Sequence, residues 1–411
     1  MNSEQKHNKV QWKMVKFDEF FDMLPNNTLS RDKLNDQYGE YQNIHYGDVL
    51  IKYPYCLDCG ENDIPYVNGN IRFNTTQIKD GDVIFADTAE DDTVGKCVEM
   101  MNVGDRKIVS GLHTYLCRPK FAIASGYLGY FLNSNHFHNQ LLPYIAGSKV
   151  SSVNRASIAR TLIFFPSALS EQRRIASILS SADKVIDSTK KLIAKYKSIK
   201  QGMMEDLLKP KEGWKKVKLG ECCTRLCNGM TYDIEEKEGY MVTRIETISD
   251  GVIDLAKIGH TSIMPKIEYK LQKGDILFSH INSLKHIGKI AYCNGDVELY
   301  HGMNLLVIRV NENIDSKYLY YQLSFDDVRT QIRTLAKSAV NQASINTTEL
   351  QKFEINIPIS CSDNPDLSEQ RRIASILSSI DKKIESEEKV LEKYKKIKKG
   401  LMEKLLKEEE V

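Results

Sequence analysis

The sequence lacks the features that would place the protein in a membrane or outside the cell. No run approaches the eighteen or so apolar residues that a membrane span needs, and the N-terminal stretch is polar. The sequence has nine cysteines, and an odd number cannot all be paired in disulfides within one chain. Neither the Cys56/Cys59 pair nor the cluster of Cys222, Cys223 and Cys227 has a second ligand pair at the spacing of a zinc site. We therefore expect a cytoplasmic protein whose cysteines are free thiols.

Motifs that would make the chain a catalyst are also missing. There is no G-x-x-x-x-G-K-[ST] or G-x-G-x-x-G loop for phosphates, and no Asn-Pro-Pro-Tyr or Asp-Pro-Pro-Tyr motif of amino-methyltransferases. The histidines are scattered and form no metal-ligand pair on a helix face. The 57 basic and 55 acidic residues nearly balance, which argues against a polycationic nucleic-acid coat but allows a local basic face.

What the sequence does contain is a forty-residue segment that occurs twice. Residues 169–208 and 367–406 share their first thirteen positions and 28 of 40 positions in all. Such a long internal match indicates a tandem duplication. Each copy has apolar residues at alternating spacings of three and four, the pattern of a coiled-coil helix. Ser170 and Ser368 are the predicted N-caps, and Pro210 is predicted to end the first helix.

The repeat continues into the segments between the helices. Trp12 and Trp214 open matching W-K-x-V-K segments, and Gly81–Phe85 matches Gly274–Phe278 as a turn followed by a strand. The sequence therefore predicts four segments: a globular part over 1–168, a helix over 169–210, a second globular part over 211–366 and a helix over 367–411. The predicted fold is α+β, with two similar globular domains separated by two long antiparallel coiled-coil helices and related by a pseudo-two-fold axis.

Two stretches free of acidic residues are candidates for nucleic-acid contact. They run from Arg106 to Ser170 and from Val328 to Thr348. Basic and amide side chains contact phosphates and read base edges, although such segregation of charge also occurs by chance on ordinary surfaces. With the basic stretch 279–289, they supply the candidate DNA-binding residues Lys149, Ser152, Asn154, Arg155, Arg160, His280, Lys285, His286, Lys289, Arg329, Arg333, Lys337, Asn341 and Gln342.

The duplicated motif resembles one protein family. L-S-E-Q-R-R-I-A-S-I-L-S-S-[AI]-D stands at Leu169–Asp183 and again at Leu367–Asp381. Together with the W-K-x-V-K openings and the G-D-[VI]-[IL]-F strands, it is similar to the specificity subunit of type I restriction-modification systems. The resemblance implies that each globular part is a target recognition domain, and that the two domains read a bipartite site in double-stranded DNA. It also implies that the chain is not itself an enzyme.

The same resemblance implies several protein partners. These are two modification (methyltransferase) subunits, docked on the spacer helices, and restriction (translocase/nuclease) subunits. S-adenosylmethionine, ATP and Mg would be bound by those partners, and no cofactor by this chain. The predicted subunit-interface residues are Gln172, Ile175, Leu179, Ile186, Tyr196, Gln370, Ile373, Leu377, Ile384 and Tyr394. The alternative interpretation is a coiled-coil scaffold that binds only protein, which would shift no DNA in a gel.

Overall fold

The computed structural model describes residues 10–69, 71, 73, 76–147, 149–233, 235–249, 251–339 and 342–407, with backbone only at 249, 338 and 339. The first globular part consists mainly of short strands with a few short helices, and its β-branched and aromatic runs predict the strands. Its elements are β1 (Trp12–Lys16), α1 (Phe17–Phe20), β2 (Phe21–Leu24), β3 (Leu34–Asn35), β4 (Gln42–Ile44), β5 (Cys56–Asp58), β6 (Tyr66–Val67), β7 (Val83–Ala86), β8 (Thr88–Ala89), β9 (Cys97–Met101), β10 (Ile108–Ser110), β11 (Thr114–Pro119), α2 (Tyr127–Leu132), α3 (Asn135–Leu141), β12 (Ser151–Ser152), α4 (Arg155–Ile158) and β13 (Leu162–Pro166).

A long helix, α5 (Leu169–Leu208), precedes the second globular part, and another, α9 (Leu367–Leu405), follows it. The second globular part repeats the mixture of short strands and helices. Its elements are β14 (Trp214–Lys218), β15 (Cys223–Asn228), β16 (Tyr240–Val242), β17 (Ile248–Ser249), β18 (Val252–Ile253), β19 (Gly259–Thr261), β20 (Ile276–Phe278), β21 (Ile281–Asn282), β22 (Ile290–Tyr292), β23 (Leu306–Val310), α6 (Ser316–Ser324), α7 (Asp326–Thr334), β24 (Lys337–Ala339), β25 (Gln342–Ser344), α8 (Thr347–Lys352) and β26 (Glu354–Pro358).

The two long helices cover the repeated segments almost from end to end, so the predicted helices are confirmed. The predicted N-caps are wrong, because each helix begins at the leucine before the serine and the serine lies in the first turn. In α9 it is Asp366 whose carboxylate accepts the N–H of Glu369, at 3.0 Å. None of the helices in the described residues is long and apolar enough to cross a membrane.

The chain divides into two compact units that do not coincide with the predicted segments. The first unit contains Met1–Lys191 and Lys389–Val411, and the second contains Leu192–Glu388. Each unit therefore combines one globular part with a portion of α5 and a portion of α9. In the second unit Lys197 bonds Glu388 and Lys200 bonds Asp381, so the two helix portions run antiparallel.

The central sheets of the two globular parts have the same strand order. The first is β2-β11-β7-β9 with β5 added at the edge, and the second is β15-β23-β20-β22. In both, the neighbours in the four-stranded part pair antiparallel. The match extends to the opening strands, since β1 pairs with β13 and β14 with β26, with Trp12 and Trp214 each opposite a proline. We call residues equivalent when they occupy the same place in matching strands.

Each central sheet lies between two hydrophobic clusters. In β7 the side chains alternate: Val83 and Phe85 belong to the cluster that includes residues of both long helices, while Ile84 and Ala86 belong to a second cluster away from them. The second unit divides in the same way on either side of β20. Because alternate side chains of a strand point to opposite faces, one short apolar run serves both layers.

Candidate nucleic-acid interface

A buried ion pair fixes the centre of each sheet. Asp82, directly before β7, is 1% exposed, and its carboxylate accepts hydrogen bonds from Nε and Nη2 of Arg118 at 2.8 and 2.7 Å. Asp275 and Arg309 repeat this geometry at the same distances. The hydrogen bonds raise the pKa of both guanidinium groups. The aspartate of each Gly-Asp turn therefore joins its own strand to the neighbouring one.

Beside each sheet, a short strand pair leads into a capped helix. β8 pairs antiparallel with β12, and β21 pairs antiparallel with β25. Two residues beyond Ser152, the side chain of Asn154 caps α4; two residues beyond Ser344, that of Asn346 caps α8. Because the strand pairs and the caps match, Ser152 is equivalent to Ser344 and Asn154 to Asn346.

In the first globular part, polar side chains gather where this strand pair meets the helix. The guanidinium of Arg155 lies 5.1 Å from the ring centroid of Tyr115. The Asp87 carboxylate accepts a hydrogen bond from Thr88 at 2.7 Å and lies 3.3 Å from Nδ1 of His113. Burial, with the nearby Asp87 carboxylate, raises the pKa of Tyr115, so its hydroxyl remains a donor. We call these five residues the polar corner.

The DNA-binding residues predicted for the first globular part are all exposed and lie in one stretch, 149–160. Ser152, Asn154 and Arg155 follow β12 into α4. The Asn154 oxygen accepts the N–H of Ser157 at 2.9 Å, so the cap already occupies it. Lys149 precedes the strand and Arg160 follows the helix. Arg155 belongs to the polar corner, and Ser152 lies next to it because it pairs with Thr88.

The residues predicted for the second globular part are less uniform. Arg329 is half-buried and pairs with Asp326 at 3.4 Å, and Asn341 lies outside the described residues. β24 pairs with β25, so Lys337 and Gln342 lie on neighbouring strands of one sheet. His286 and Lys289 are half-buried. The exposed members of the predicted set are Lys285, Arg333, Lys337 and Gln342.

His280 does not fit the prediction of DNA contact. Its side chain is only 5% exposed, and its Nε2 lies 3.4 Å from the amide nitrogen of Asn228. Burial lowers its pKa, which favours a neutral imidazole inside the domain. The reason is its position two residues after the buried strand β20. His280 is therefore an interior residue, although it belongs to a basic stretch of sequence.

In the first unit, three side chains join the globular part to both long helices. The hydroxyl of Tyr130, in α2, donates to Asp183 of α5 at 2.8 Å. Lys398 of α9 lies 2.6 Å from the other oxygen of Asp183 and 4.4 Å from the ring centroid of Tyr55. Burial raises the pKa of Tyr130, so the tyrosine stays protonated and donates to the carboxylate.

The second unit repeats this arrangement with the helices exchanged. Tyr321, in α6, donates to Asp381 of α9 at 2.7 Å, and Lys200 of α5 lies 2.6 Å from the other Asp381 oxygen. We call the sets Tyr130–Asp183–Lys398 and Tyr321–Asp381–Lys200 the helix junctions. Sequence reasoning missed both. The signal that could have found them is the shared Y-L-x-Y, at 127–130 and 318–321.

Most residues predicted to contact partner subunits are buried in their own unit. Gln172 accepts the N–H of Ala124 and Gln370 accepts that of Asp315, both at 2.8 Å. In this chain these amides bind the globular parts to the helices, and Tyr196 and Tyr394 are half-buried. The role in subunit binding stays a prediction. The side chains at most 8% exposed are Gln172, Ile175, Leu179, Ile186, Gln370, Ile373, Leu377 and Ile384.

The helices also carry apolar side chains that are exposed. Ile199 and Ile397, at equivalent positions of α5 and α9, are 37% and 42% exposed, and Val185 is 38% exposed. These three side chains are accessible to another protein, whereas the buried seam residues are not. Within the described residues, no group of three His, Cys, Asp or Glu side chains could hold a metal ion.

The comparison with protein families gives a match over most of the chain. Residues 9–197 and 211–396 each match the family described as type I restriction modification DNA specificity domain. A putative type I restriction enzyme MjaX specificity subunit of Methanocaldococcus jannaschii is 44% identical over 200 residues, which are 47% of this chain and 45% of that protein. The chain thus spans less than half of that relative in the match.

A more distant relative and two solved structures cover more of the chain. The type I restriction enzyme EcoKI specificity subunit of Escherichia coli is 24% identical over 323 residues, covering 72% of this chain and 68% of that one. The S subunit of a type I system from M. genitalium covers 99% of both chains with a TM-score of 0.60 at 15% identity. A chain from a solved type I R-M system covers 97% and 99%, with a TM-score of 0.56 at 18% identity. These two likenesses show the fold.

Proposed function

The chain belongs to the family of type I restriction modification DNA specificity domains, and from this premise we propose that it is the sequence-recognition subunit of such a system. Its two globular parts are two target recognition domains. Each reads one half of a bipartite site in double-stranded DNA. The chain contributes recognition and no catalysis. Methyl transfer and cleavage, with S-adenosylmethionine, ATP and Mg, are the work of partner subunits.

One observation carries this proposal: the same frame presents different polar side chains in the two units. The Asp–Arg pair, the strand order and the capping asparagine recur, whereas the polar corner of the first unit has no copy in the second. A protein that reads two different half-sites needs this combination. The shared strand order, Asp–Arg pair and capping asparagine give each domain the same approach to the DNA groove. The different side chains beside the sheet give each domain its own base contacts.

The charges support the same function. The first predicted set lies in a stretch without acidic residues, and Lys149, Arg155 and Arg160 are exposed there. Exposed cations neutralise phosphates and provide most of the affinity that does not depend on sequence. Two modification subunits would dock on the outer faces of α5 and α9, where Ile199 and Ile397 are exposed. Restriction subunits would join that complex.

An exchange of one domain tests the proposal. Residues 211–366 are replaced by the equivalent part of another specificity subunit with a known site, and the chain is co-expressed with its modification subunit. Methylated sites are then mapped across a genome. We expect one half of the site to change and the other half to stay. Co-purification of the modification subunit is the folding control, because α5 and α9 are left intact.

Changes in both halves, or in neither, would contradict the assignment of one domain to each half-site. A gel-shift series at several salt concentrations separates recognition from scaffolding. A scaffold would shift no DNA with or without the modification subunit, whereas a recognition subunit gives a shift that weakens as salt rises.

A further inference from the structure

Arg155 is held on an aromatic ring that is itself fixed. The hydroxyl of Tyr115 donates to the carbonyl of Val153 at 3.2 Å, and the N–H of Val153 donates to the carbonyl of Asp87 at 2.9 Å. Val153 is 2% exposed, so this link belongs to the domain interior. The guanidinium lies 5.1 Å from the ring centroid of Tyr115. A guanidinium stacked on an aromatic face loses fewer orientations when it binds than a free one.

The guanidinium of Arg155 makes no ion pair or hydrogen bond within the described residues. Most other arginines there do, as Arg118 does to Asp82 and Arg225 to the carbonyl of Glu268. Arg160, Arg173 and Arg333 also lack such partners in the described part of the chain, and of these four arginines Arg155 is the one that lies over a ring. The nearby carboxylate of Asp87 accepts a hydrogen bond from Thr88 and lies 3.3 Å from Nδ1 of His113. The hydrogen-bonding edge of Arg155 is therefore available to a ligand.

The second globular part has different residues at the equivalent positions. Position 155 is equivalent to Thr347, directly after the capping Asn346. Tyr115, opposite Phe85, is equivalent to Leu306, opposite Phe278. His280 occupies the place of Asp87. The arginine and the ring that supports it are thus present together in one domain and absent together from the other, while the frame around them is the same.

We propose that Arg155 reads a guanine in the half-site contacted by the first globular part, with Tyr115 as its positioning residue. This inference rests on the proposed function. The two N–H groups on one edge of a guanidinium match O6 and N7 of guanine in the major groove, the commonest specific contact of arginine with DNA. A guanidinium also binds phosphate through two N–H groups, so the two contacts are separated by whether the loss in a variant depends on the DNA sequence. A guanidinium held over a ring is already positioned before DNA binds, which suits a contact with a base edge.

The test uses the complex with its modification subunit and a DNA library in which the first half-site is randomised. Methylation by the wild type is compared with that by Arg155→Lys, Arg155→Ala and Tyr115→Leu, with Thr347→Ala as the matched control in the second domain. We expect one guanine position of the first half-site to lose about 5- to 150-fold of its discrimination in both Arg155 variants. Tyr115→Leu should lose part of it, and the second half-site should be unchanged.

The control Thr347→Ala should leave the first half-site as in the wild type. Two results would overturn the inference: full discrimination at every position of the first half-site in Arg155→Lys, or an equal loss on all sequences, which is the behaviour of a phosphate contact. Arg155 is exposed, so folding is checked by co-purification of the modification subunit. A wild-type complex without sequence preference would instead refute the proposed function, which keeps the two failures distinct.

Discussion

The two globular parts share the strand order of their central sheet and differ at the polar corner beside it. Both have the same four-strand order, and both use a buried aspartate to hold an arginine on the next strand. At the polar corner, however, the first part has Tyr115 and Arg155, whereas the second part has Leu306 and Thr347 at the equivalent positions. The two copies have thus kept the Asp–Arg pair that joins the strands of the sheet, and they differ in the side chains of the polar corner. A recognition protein can vary its contacts in this way without rebuilding its core.

The interiors also differ at one buried position. Glu99, opposite Val83, is equivalent to Tyr292, opposite Ile276. Glu99 is 1% exposed and accepts backbone N–H groups at the start of α2, whereas the Tyr292 hydroxyl bonds Ser316. The helix junctions, by contrast, have the same geometry in both units. The chain therefore offers shared and unshared features that can be perturbed as matched pairs.

The largest effect should come from breaking the shared ion pair in one unit at a time. Asp82→Ala leaves the Arg118 guanidinium in the sheet without its carboxylate, and Asp275→Ala does the same to Arg309. Each should lower the free energy of unfolding of its own unit by about 3–5 kcal/mol. Because Trp12 and Trp214 are the only tryptophans and lie in different units, single-tryptophan variants report each unit by fluorescence during urea unfolding.

The control for this pair is Glu40→Ala, which removes an exposed partner of Lys107. Surface pairs contribute only about 0–1 kcal/mol, so both tryptophan signals should hardly move. An equal shift of both signals by Asp82→Ala would contradict the view that each ion pair supports its own unit.

A smaller effect, a loss of stability as the pH rises, should appear in the first unit only. Burial raises the pKa of Glu99 to about 7, against an ordinary value of 4.5. Between these values the folded state holds a proton that the unfolded chain releases. The contribution of Glu99 to the free energy of unfolding is therefore complete below about pH 4.5. It is lost as the pH rises towards 7, by at most about 1.4 kcal/mol per pH unit.

Urea unfolding from pH 5 to pH 8, followed through Trp12 and Trp214 separately, measures this difference. The second unit has a tyrosine at the equivalent place and should lack this component. Glu99→Gln should remove it from the first unit. If the free energy of unfolding of the first unit still falls with pH in Glu99→Gln, the pH dependence belongs to another group.

The smallest effect should come from the helix junctions. Tyr130→Phe removes the hydroxyl that donates to Asp183, and Tyr321→Phe removes the one that donates to Asp381. Each should cost about 1.5 kcal/mol in its own unit, the lower end for a hydrogen bond to a charged group, because the carboxylate keeps its lysine partner. Hydrogen exchange of the helix amides around Asp183 and Asp381 measures it. The control is Tyr38→Phe, at a side chain that is 79% exposed. An equal loss of protection in that variant would show that the loss does not come from the hydrogen bond of the helix junction.

The sequence predicted the features that depend on local pattern. Heptad spacing indicated α5 and α9, because a helix presents every third or fourth residue on one face. The Gly-Asp runs predicted strands β7 and β20 for a similarly local reason. Tyr130 and Asp183 are far apart in sequence, and the partner Lys398 is still more distant, so only the folded chain brings them together. The sequence also did not predict the interior position of His280. A basic stretch of sequence does not show which of its side chains point into the domain and which point to solvent.

The first unit contains residues from both ends of the described chain, and this has a consequence for biosynthesis. Leu406 is 1% exposed in the cluster that also contains Phe17 and Phe20, and Leu401 and Leu405 pack against it. These leucines leave the ribosome only after the whole second globular part has been made. At about 5–20 residues per second, roughly 200 further residues take on the order of 10–40 s. During that interval the apolar surface of the nascent first unit lacks these leucines, and it is covered only when the last turns of α9 emerge.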